Sequence, residues 1–293
     1  MNRLITIIAC IIISTPIFSQ KVSKKLLTEY EDTLQEIAYQ MINGEDIGIR
    51  NNANDAFKQT LLEVLKYRNS FTFPFDSLVS ISKLYSPDKS FRIFSWIMKI
   101  ENNKFKYYGI VHYHNKRKKR YEIIELNDMS TDIRNPLSKD LDSKNWYGAY
   151  YYKIIYFKKK GRKFYTLLGK NWNNGISEKK IIDILYFGGK NKIKFGLPII
   201  YKGKEKTKRF IIEYDAKASV GLNYSEKNKR IVFDYLVPLK ENLEGFYEYY
   251  VPNGTYDCFE YIDGKWMYKR DIDIRNESIR TFRKKPKMGL INR

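Results

Sequence analysis

The sequence predicts an α+β protein that is mainly β: an N-terminal helical hairpin followed by a large antiparallel β-sheet domain. That domain reads as a meander or barrel-like sheet, with a small β-propeller as the alternative. Three observations lead there. Apolar spacings of three and four residues are confined to residues 22–67, the apolar period becomes two from Asn69 onward, and about a dozen strand-length runs follow with no helical pattern between them. The densest run, Trp146 to Phe187, is rich in aromatic and β-branched residues and is divided by Lys160-Gly161 and Asn174-Gly175. It reads as three consecutive antiparallel strands at the centre of a sheet.

The first 19 residues read as a signal peptide. Arg3 supplies a positive start, Leu4 to Ile13 is apolar apart from Thr6, and Ser19 is a small residue suited to cleavage before Gln20. The apolar run is about half of the ~20 residues that a membrane-spanning helix needs. Cleavage removes Cys10 and leaves Cys258 alone, so the mature chain forms no internal disulfide and depends on its core. No later stretch approaches membrane length, so a periplasmic or extracellular soluble protein is expected.

Leu26, Tyr30, Leu34, Ile37 and Met41 share one face of a first helix, with Glu29, Glu31, Asp32, Gln35 and Glu36 on the other side. The polar segment Ile42 to Asn54 reads as a connection. A second helix is predicted over Asp55 to Tyr67, capped by Asn54 or Asp55 and buried through Phe57, Leu61, Val64 and Leu65. Together these occupy residues 20–68, and the β domain occupies 69–275.

Within that domain strands are expected at Phe91 to Lys99, Lys104 to His114 and Tyr121 to Leu126 before the central run. After it come Ile193 to Tyr201, Arg209 to Asp215, Ser219 to Tyr224 and Arg230 to Leu236. Thr255 to Tyr261 and Lys265 to Asp273 flank Asp263-Gly264, a type I′ hairpin signal. Residues 276–293 are basic without apolar periodicity and read as a disordered tail.

Lys and Arg number 54 against 33 Asp and Glu, a net charge of +21. Such excess favours polyanions, and export shifts the expected partner from nucleic acid to an anionic envelope polymer or glycan, or to an envelope protein. The cations cluster at Lys116 to Arg120, Lys158 to Lys163, Lys202 to Arg209 and Lys227 to Arg230, all at predicted hairpin tips. Charged tips also keep sheet edges from pairing, so they are ordinary in β proteins. If several lie at one end of the sheet they form a cationic rim. Lys116, Arg117, Lys118, Lys158, Lys159 and Arg162 are then the candidate ligand-binding cations, with Trp146 and Trp172 as aromatic platforms. Core packing is the commoner use of such indoles.

Catalytic signals are sparse. His112 and His114 have the i, i+2 spacing that points both rings to one face of a strand, a geometry able to hold a metal with Glu122 or Glu125. The neighbouring cations of Lys116 to Arg120 oppose a divalent ion. Asp257, Asp271 and Asp273 gather near the last hairpin and are the candidate carboxylates for a hydrolase. No Gly-x-Ser-x-Gly elbow, phosphate loop or dinucleotide fingerprint is present, and Cys258 sits within a strand alternation. The reading leans towards binding over catalysis, with no cofactor.

Several motifs carry a resemblance. They are Phe73-Pro74-Phe75-Asp76-Ser77-Leu78, Trp146-Tyr147-Gly148-Ala149, Tyr165-Thr166-Leu167-Leu168-Gly169, Ile182-Asp183-Ile184-Leu185 and Phe195-Gly196-Leu197-Pro198. Arg209-Phe210-Ile211-Ile212-Glu213-Tyr214, Ile231-Val232-Phe233-Asp234, Tyr256-Asp257-Cys258-Phe259 and Lys265-Trp266 continue the set. Over roughly Phe73 to Asp273 the chain resembles a family of uncharacterised exported proteins of the Bacteroidetes type, with no known activity. Where that family reads Gly-Trp-Asp-Gly this chain has Gly169-Lys170-Asn171-Trp172-Asn173, and where it reads Asp-His-Leu this chain has Asp234-Tyr235-Leu236. The resemblance implies export and no catalytic assignment.

Overall fold

The computed structural model describes residues 20–100, 104–189 and 192–273. The expected signal peptide and the expected C-terminal tail lie outside the described residues. Among those residues are two α-helices and sixteen strands in three sheets. The mainly-β fold with a helical hairpin is as the sequence predicts, and no sheet closes into a barrel.

The hairpin comprises α1 (Lys24–Asn43) and α2 (Ile47–Val64). Ser23 caps α1 by accepting from the Leu26 amide at 3.1 Å, and Asp46 caps α2 by accepting from Ile49 at 2.8 Å. The expected connection over Ile42 to Asn54 is therefore mostly helix. Asn51 and Asn52 are exposed and Arg50 is half-buried, donating to the Gly44 and Lys99 carbonyls, whereas Asn54 is buried and accepts from the Trp96 indole at 2.9 Å. Glu31, expected on the solvated face of α1, is also buried, and its carboxylate takes the Ser77 amide at 2.6 Å.

The first sheet has the order β1 (Ser82–Tyr85), β2 (Phe91–Lys99), β3 (Phe105–Asn115), β4 (Arg120–Asn127), all antiparallel. The middle sheet is built on the central run as β6 (Tyr150–Lys159), β7 (Arg162–Asn171) and β8 (Ser177–Phe187). β9 (Ile193–Phe195) pairs with the last part of β8 and β12 (Arg209–Asp215) with its first part, while β5 (Leu141–Asp142) lies outside β9. The third sheet runs β11 (Glu205–Thr207), β10 (Ile200–Lys202), β16 (Lys265–Lys269), β15 (Tyr250–Ile262), β14 (Arg230–Pro238), β13 (Leu222–Ser225). Its β10–β16 pair is parallel and the rest is antiparallel. The strand expected over Ile193 to Tyr201 is split between two sheets, because Gly196 turns the chain at φ +91° and Pro198 follows.

These pieces stack as four layers: helices, first sheet, middle sheet, third sheet. Phe94, Trp96, Met98 and Ile110 face the helices, and Phe91, Ile93, Tyr107 and Val111 face the middle sheet. In the middle sheet Tyr165, Leu167, Ile181 and Leu185 face the first sheet, while Phe164, Leu168, Ile182 and Ile184 face the third. A strand covered on both faces must be apolar on both, which is why β2 reads Phe-Arg-Ile-Phe-Ser-Trp-Ile-Met without clean alternation. Each fully buried large side chain contributes about 1.5–3 kcal/mol, so layer contacts dominate the stability.

Every layer interface carries one fully buried tryptophan with its indole N–H satisfied. Trp96 donates to Asn54, Trp146 to the Tyr151 hydroxyl and Trp266 to the Thr166 hydroxyl, each at 2.9 Å. An indole left unpaired in such a core would be costly.

Candidate functional site

One end of the stack holds a cleft of about 1260 Å³ built from all three sheets. From the first sheet comes the β3–β4 turn, where Asn115 accepts from the Lys118 amide at 3.1 Å and Lys119 takes a positive φ of 51°. Lys116 and Arg117 line the cleft with Tyr113 and His114 behind them. Lys118 and Arg120 are tied instead to Glu122, at 2.7 and 3.2 Å. Burial works against ionisation of Glu122, but hydrogen bonds from Lys118, Tyr113, Asn115 and Arg120 outweigh it and hold its pKa at about 2.

The middle sheet contributes its β6–β7 hairpin. Lys160 and Gly161 both have positive φ, 47° and 77°, as a type I′ turn requires. Around this turn Lys159, Lys160, Arg162 and Lys163 reach the cleft, and Phe164 and Tyr165 line it below. Asp88 accepts from Lys163 at 2.7 Å, from the Ser90 hydroxyl at 2.8 Å and from the Tyr165 hydroxyl at 3.0 Å. Burial of Asp88 opposes its charge, yet these partners hold its pKa at about 2 and raise that of Lys163.

The third sheet supplies the β15–β16 turn, Asp263-Gly264, again type I′ with φ 47° and 78°. Lys159 crosses this turn and donates to the Asp263 carbonyl. Its aliphatic stem occupies the space that a Cβ on Gly264 would need, so Gly264 serves both the turn and the approach of the two sheets. Lys265 lies over the Tyr201 ring at 4.8 Å. Tyr186, Phe187, Leu197, Ile199 and Tyr201 complete a half-buried apolar wall.

Seven Lys and Arg side chains therefore line the cleft, and no Asp or Glu does among the described residues. Within those residues no carboxylate pairs with Lys116, Arg117, Lys160, Arg162 or Lys265. Of the candidate cations Lys116, Arg117, Lys159 and Arg162 meet here, whereas Lys118 is bound to Glu122 and Lys158 does not line the cleft. The Lys202 to Arg209 cluster is not one tip: Arg209 is fully buried and pairs with buried Asp183 at 3.2 Å. The Lys227 to Arg230 turn lies at the same end of the third sheet as Lys265, since Arg230 pairs with Glu260.

The two indoles are placed differently from the expectation. Trp146 is sealed in the core between the first and middle sheets. Trp172 follows the far end of β7, roughly 30 Å from the Lys160 turn at about 3.3 Å per residue. There it packs against Phe105 and Tyr150 under the Lys170 ammonium, 4.6 Å from its ring. The aromatic surface of the cleft comes instead from tyrosines and phenylalanines. Tyr186-Phe187 ahead of Gly188-Gly189 was a readable sign of it, but Tyr201 and Leu197 depend on tertiary stacking.

The two histidines share a face of β3 but not an environment. His112 is fully buried against Phe71, with ring centroids 5.3 Å apart, and neither ring nitrogen has a hydrogen-bond partner. Burial, with nearby Arg92, lowers its pKa to about 3. Tyr121 contacts both imidazoles, and His114 is exposed at the cleft. Glu122 pairs with Tyr113 in register and so projects to the opposite face from the histidines, while Glu125 is engaged by Lys58 at 2.5 Å. Among the described residues no group of three or more His, Cys, Asp or Glu could hold a metal ion.

The C-terminal carboxylates do not face one another across a cavity. Asp257 is buried in β15, where it accepts from the Tyr268 hydroxyl and from the Asp271 amide at 3.0 Å. Asp271 and Asp273 are exposed, beyond the end of β16. This arrangement closes the C-terminal hairpin, and none of the three lines the cleft. Cys258 is buried, and burial raises its thiol pKa, the reverse of an activated nucleophile.

The fold and site define a layered β protein with a cationic cleft where three sheets end. Comparisons with protein-family models, curated proteins and solved structures return no match.

Proposed function

We propose that this protein is an exported, envelope-associated binding module that holds an anionic ligand in the cleft between its basic hairpin turns. The observation carrying this reading is that turns from three different sheets bring seven cations to one cavity while five of them meet no carboxylate among the described residues. Bringing like charges together costs free energy, which an anion offsets. Export is supported by the leader-like residues 1–19, and no described helix is long and apolar enough to cross a membrane.

The test is a crosslinked pull-down from native cell envelope, repeated over a salt series with the wild type and a Lys116→Glu/Lys160→Glu/Arg162→Glu variant. The expected result is retention of an anionic envelope component, polymer or amphiphile, that fades with salt and is lost in the variant. Salt-resistant recovery of one protein, unchanged by the variant, would replace this reading with that of an assembly subunit.

A further inference from the structure

Resting on that anion-binding reading, we propose that the ligand is an anionic amphiphile, an acyl chain with a carboxylate or phosphate head, rather than a bare charged polymer. The cleft is divided in a way that fits such a molecule. Its cations sit on the turns at the mouth, whereas Phe187, Leu197, Ile199 and Tyr201 form a half-buried apolar wall.

A bare glycan needs partners for many hydroxyls, each both donor and acceptor. Among the described lining residues there is no Asp, Glu, Asn or Gln. The one aliphatic hydroxyl, that of Ser90, already donates to Asp88 at 2.8 Å and meets the Tyr165 hydroxyl at 2.8 Å. A charged polymer would use the mouth and leave the apolar wall in water. An acyl chain covers that wall, and its head group meets Lys116, Lys160, Arg162 and Lys265. At about 1260 Å³ the cleft is larger than the roughly 300–1,000 Å³ of an ordinary small-molecule pocket, which leaves room for a chain as well as a head group.

The experiment is calorimetric titration of the mature protein with octanoate, decanoate and dodecanoate, and with the matching alkyl phosphates, all below their micelle concentrations. Decanol and polyphosphate are the controls lacking a head charge and a tail. The expected result is affinity that rises with chain length, by up to about fourfold per methylene. Decanol should bind at least tenfold more weakly than decanoate. Lys160→Glu/Arg162→Glu, on an exposed turn that leaves the core untouched, should weaken dodecanoate at least tenfold. Ile199→Ser, with its folding checked by thermal unfolding, should flatten the chain-length dependence while leaving polyphosphate binding unchanged. Polyphosphate binding together with no chain-length dependence would overturn the amphiphile and leave the anion-binding function standing. Decanol binding as tightly as decanoate would overturn recognition of the head. If neither acyl anions nor polyphosphate bind, both the amphiphile and the anion-binding function fall.

Discussion

The two ends of the middle sheet use the same residue types to opposite effect. At the Trp172 end, Lys170 pairs with Glu178 at 2.7 Å and Lys179 with Glu213 at 3.4 Å, so basic strand residues are matched within the sheet. At the Lys160 end the turns gather lysines and arginines from three sheets, and most have no carboxylate among the described residues. Matched charges hold strands in register, whereas unmatched charges facing one cavity store repulsion that a ligand relieves. The net charge of +21 is thus not an even coating: among the described residues the lysines are matched at one end of the middle sheet and mostly unmatched at the other.

The largest expected effect breaks this contrast directly. Lys116→Glu, Lys160→Glu and Arg162→Glu together should weaken binding of a sulfated polymer at low salt by at least about tenfold, each lost charge-assisted contact being worth roughly 1.5–3 kcal/mol. Reversing Lys170 and Lys179 should leave that affinity within about twofold, although it puts like charges beside Glu178 and Glu213. Affinity measured across a salt series separates the two variants. Equal losses from both would mean that net charge, not the cleft, governs binding.

Second in size is the layer packing that brings the turns together. Asn54→Ala removes the acceptor of the Trp96 indole and should cost about 1–3 kcal/mol in urea unfolding. Because Trp96 lies in the interior between the helices and the first sheet and does not line the cleft at the end of the stack, the cleft should keep its affinity.

Acid sharpens the comparison between the two histidines. His112 has a native pKa of about 3, whereas in the unfolded chain it takes its usual value near ~6.5. Between these values the unfolded state binds a proton that the native state does not, so stability must fall as pH falls. The expected slope is about 1.4 kcal/mol per pH unit below pH ~6. Asp88 and Glu122 act in the same direction, but their loss becomes appreciable only from about pH 5 downward, as they begin to protonate in the unfolded chain. Urea unfolding at pH 6.5 and 5 therefore isolates His112, and His112→Phe should reduce the slope over that range.

The smallest effect is expected at the seam between the middle and third sheets. Gly264→Ala strains a residue at φ +78° and meets the stem of Lys159. A loss of about 1 kcal/mol in stability is expected, with a measurable change in cleft affinity because Lys159 must move. Gly161→Ala, where nothing lies within 4 Å, should change stability through backbone strain without disturbing that contact.

Much of the fold was legible because strand length, turn chemistry and helix spacing are local properties. Phe91 to Lys99 and Arg209 to Asp215 coincide with β2 and β12, and Asp263-Gly264 forms the hairpin turn that its residues require. The start of α2 was hidden because Arg50 to Asn54 is polar, and its capping Asp46 lies ahead of that run. β1, β5 and β11 are too short to show a period. The basic turns were visible as charge runs, but their meeting depends on which ends of three stacked sheets coincide, a long-range property. The same limit applies to tryptophan: nothing local separates the sealed Trp146 from the half-buried Trp172.

The central claim is that ligand is held at the cationic cleft where the turns of three sheets meet. Hydrogen exchange of the protein, with and without a saturating sulfated polymer, tests it most directly. The account predicts slowed exchange in residues 113–118, 159–165, 186–189 and 263–265, with the Trp172 turn unchanged. Slowed exchange centred on residues 170–180, or spread evenly over every basic turn, would contradict it.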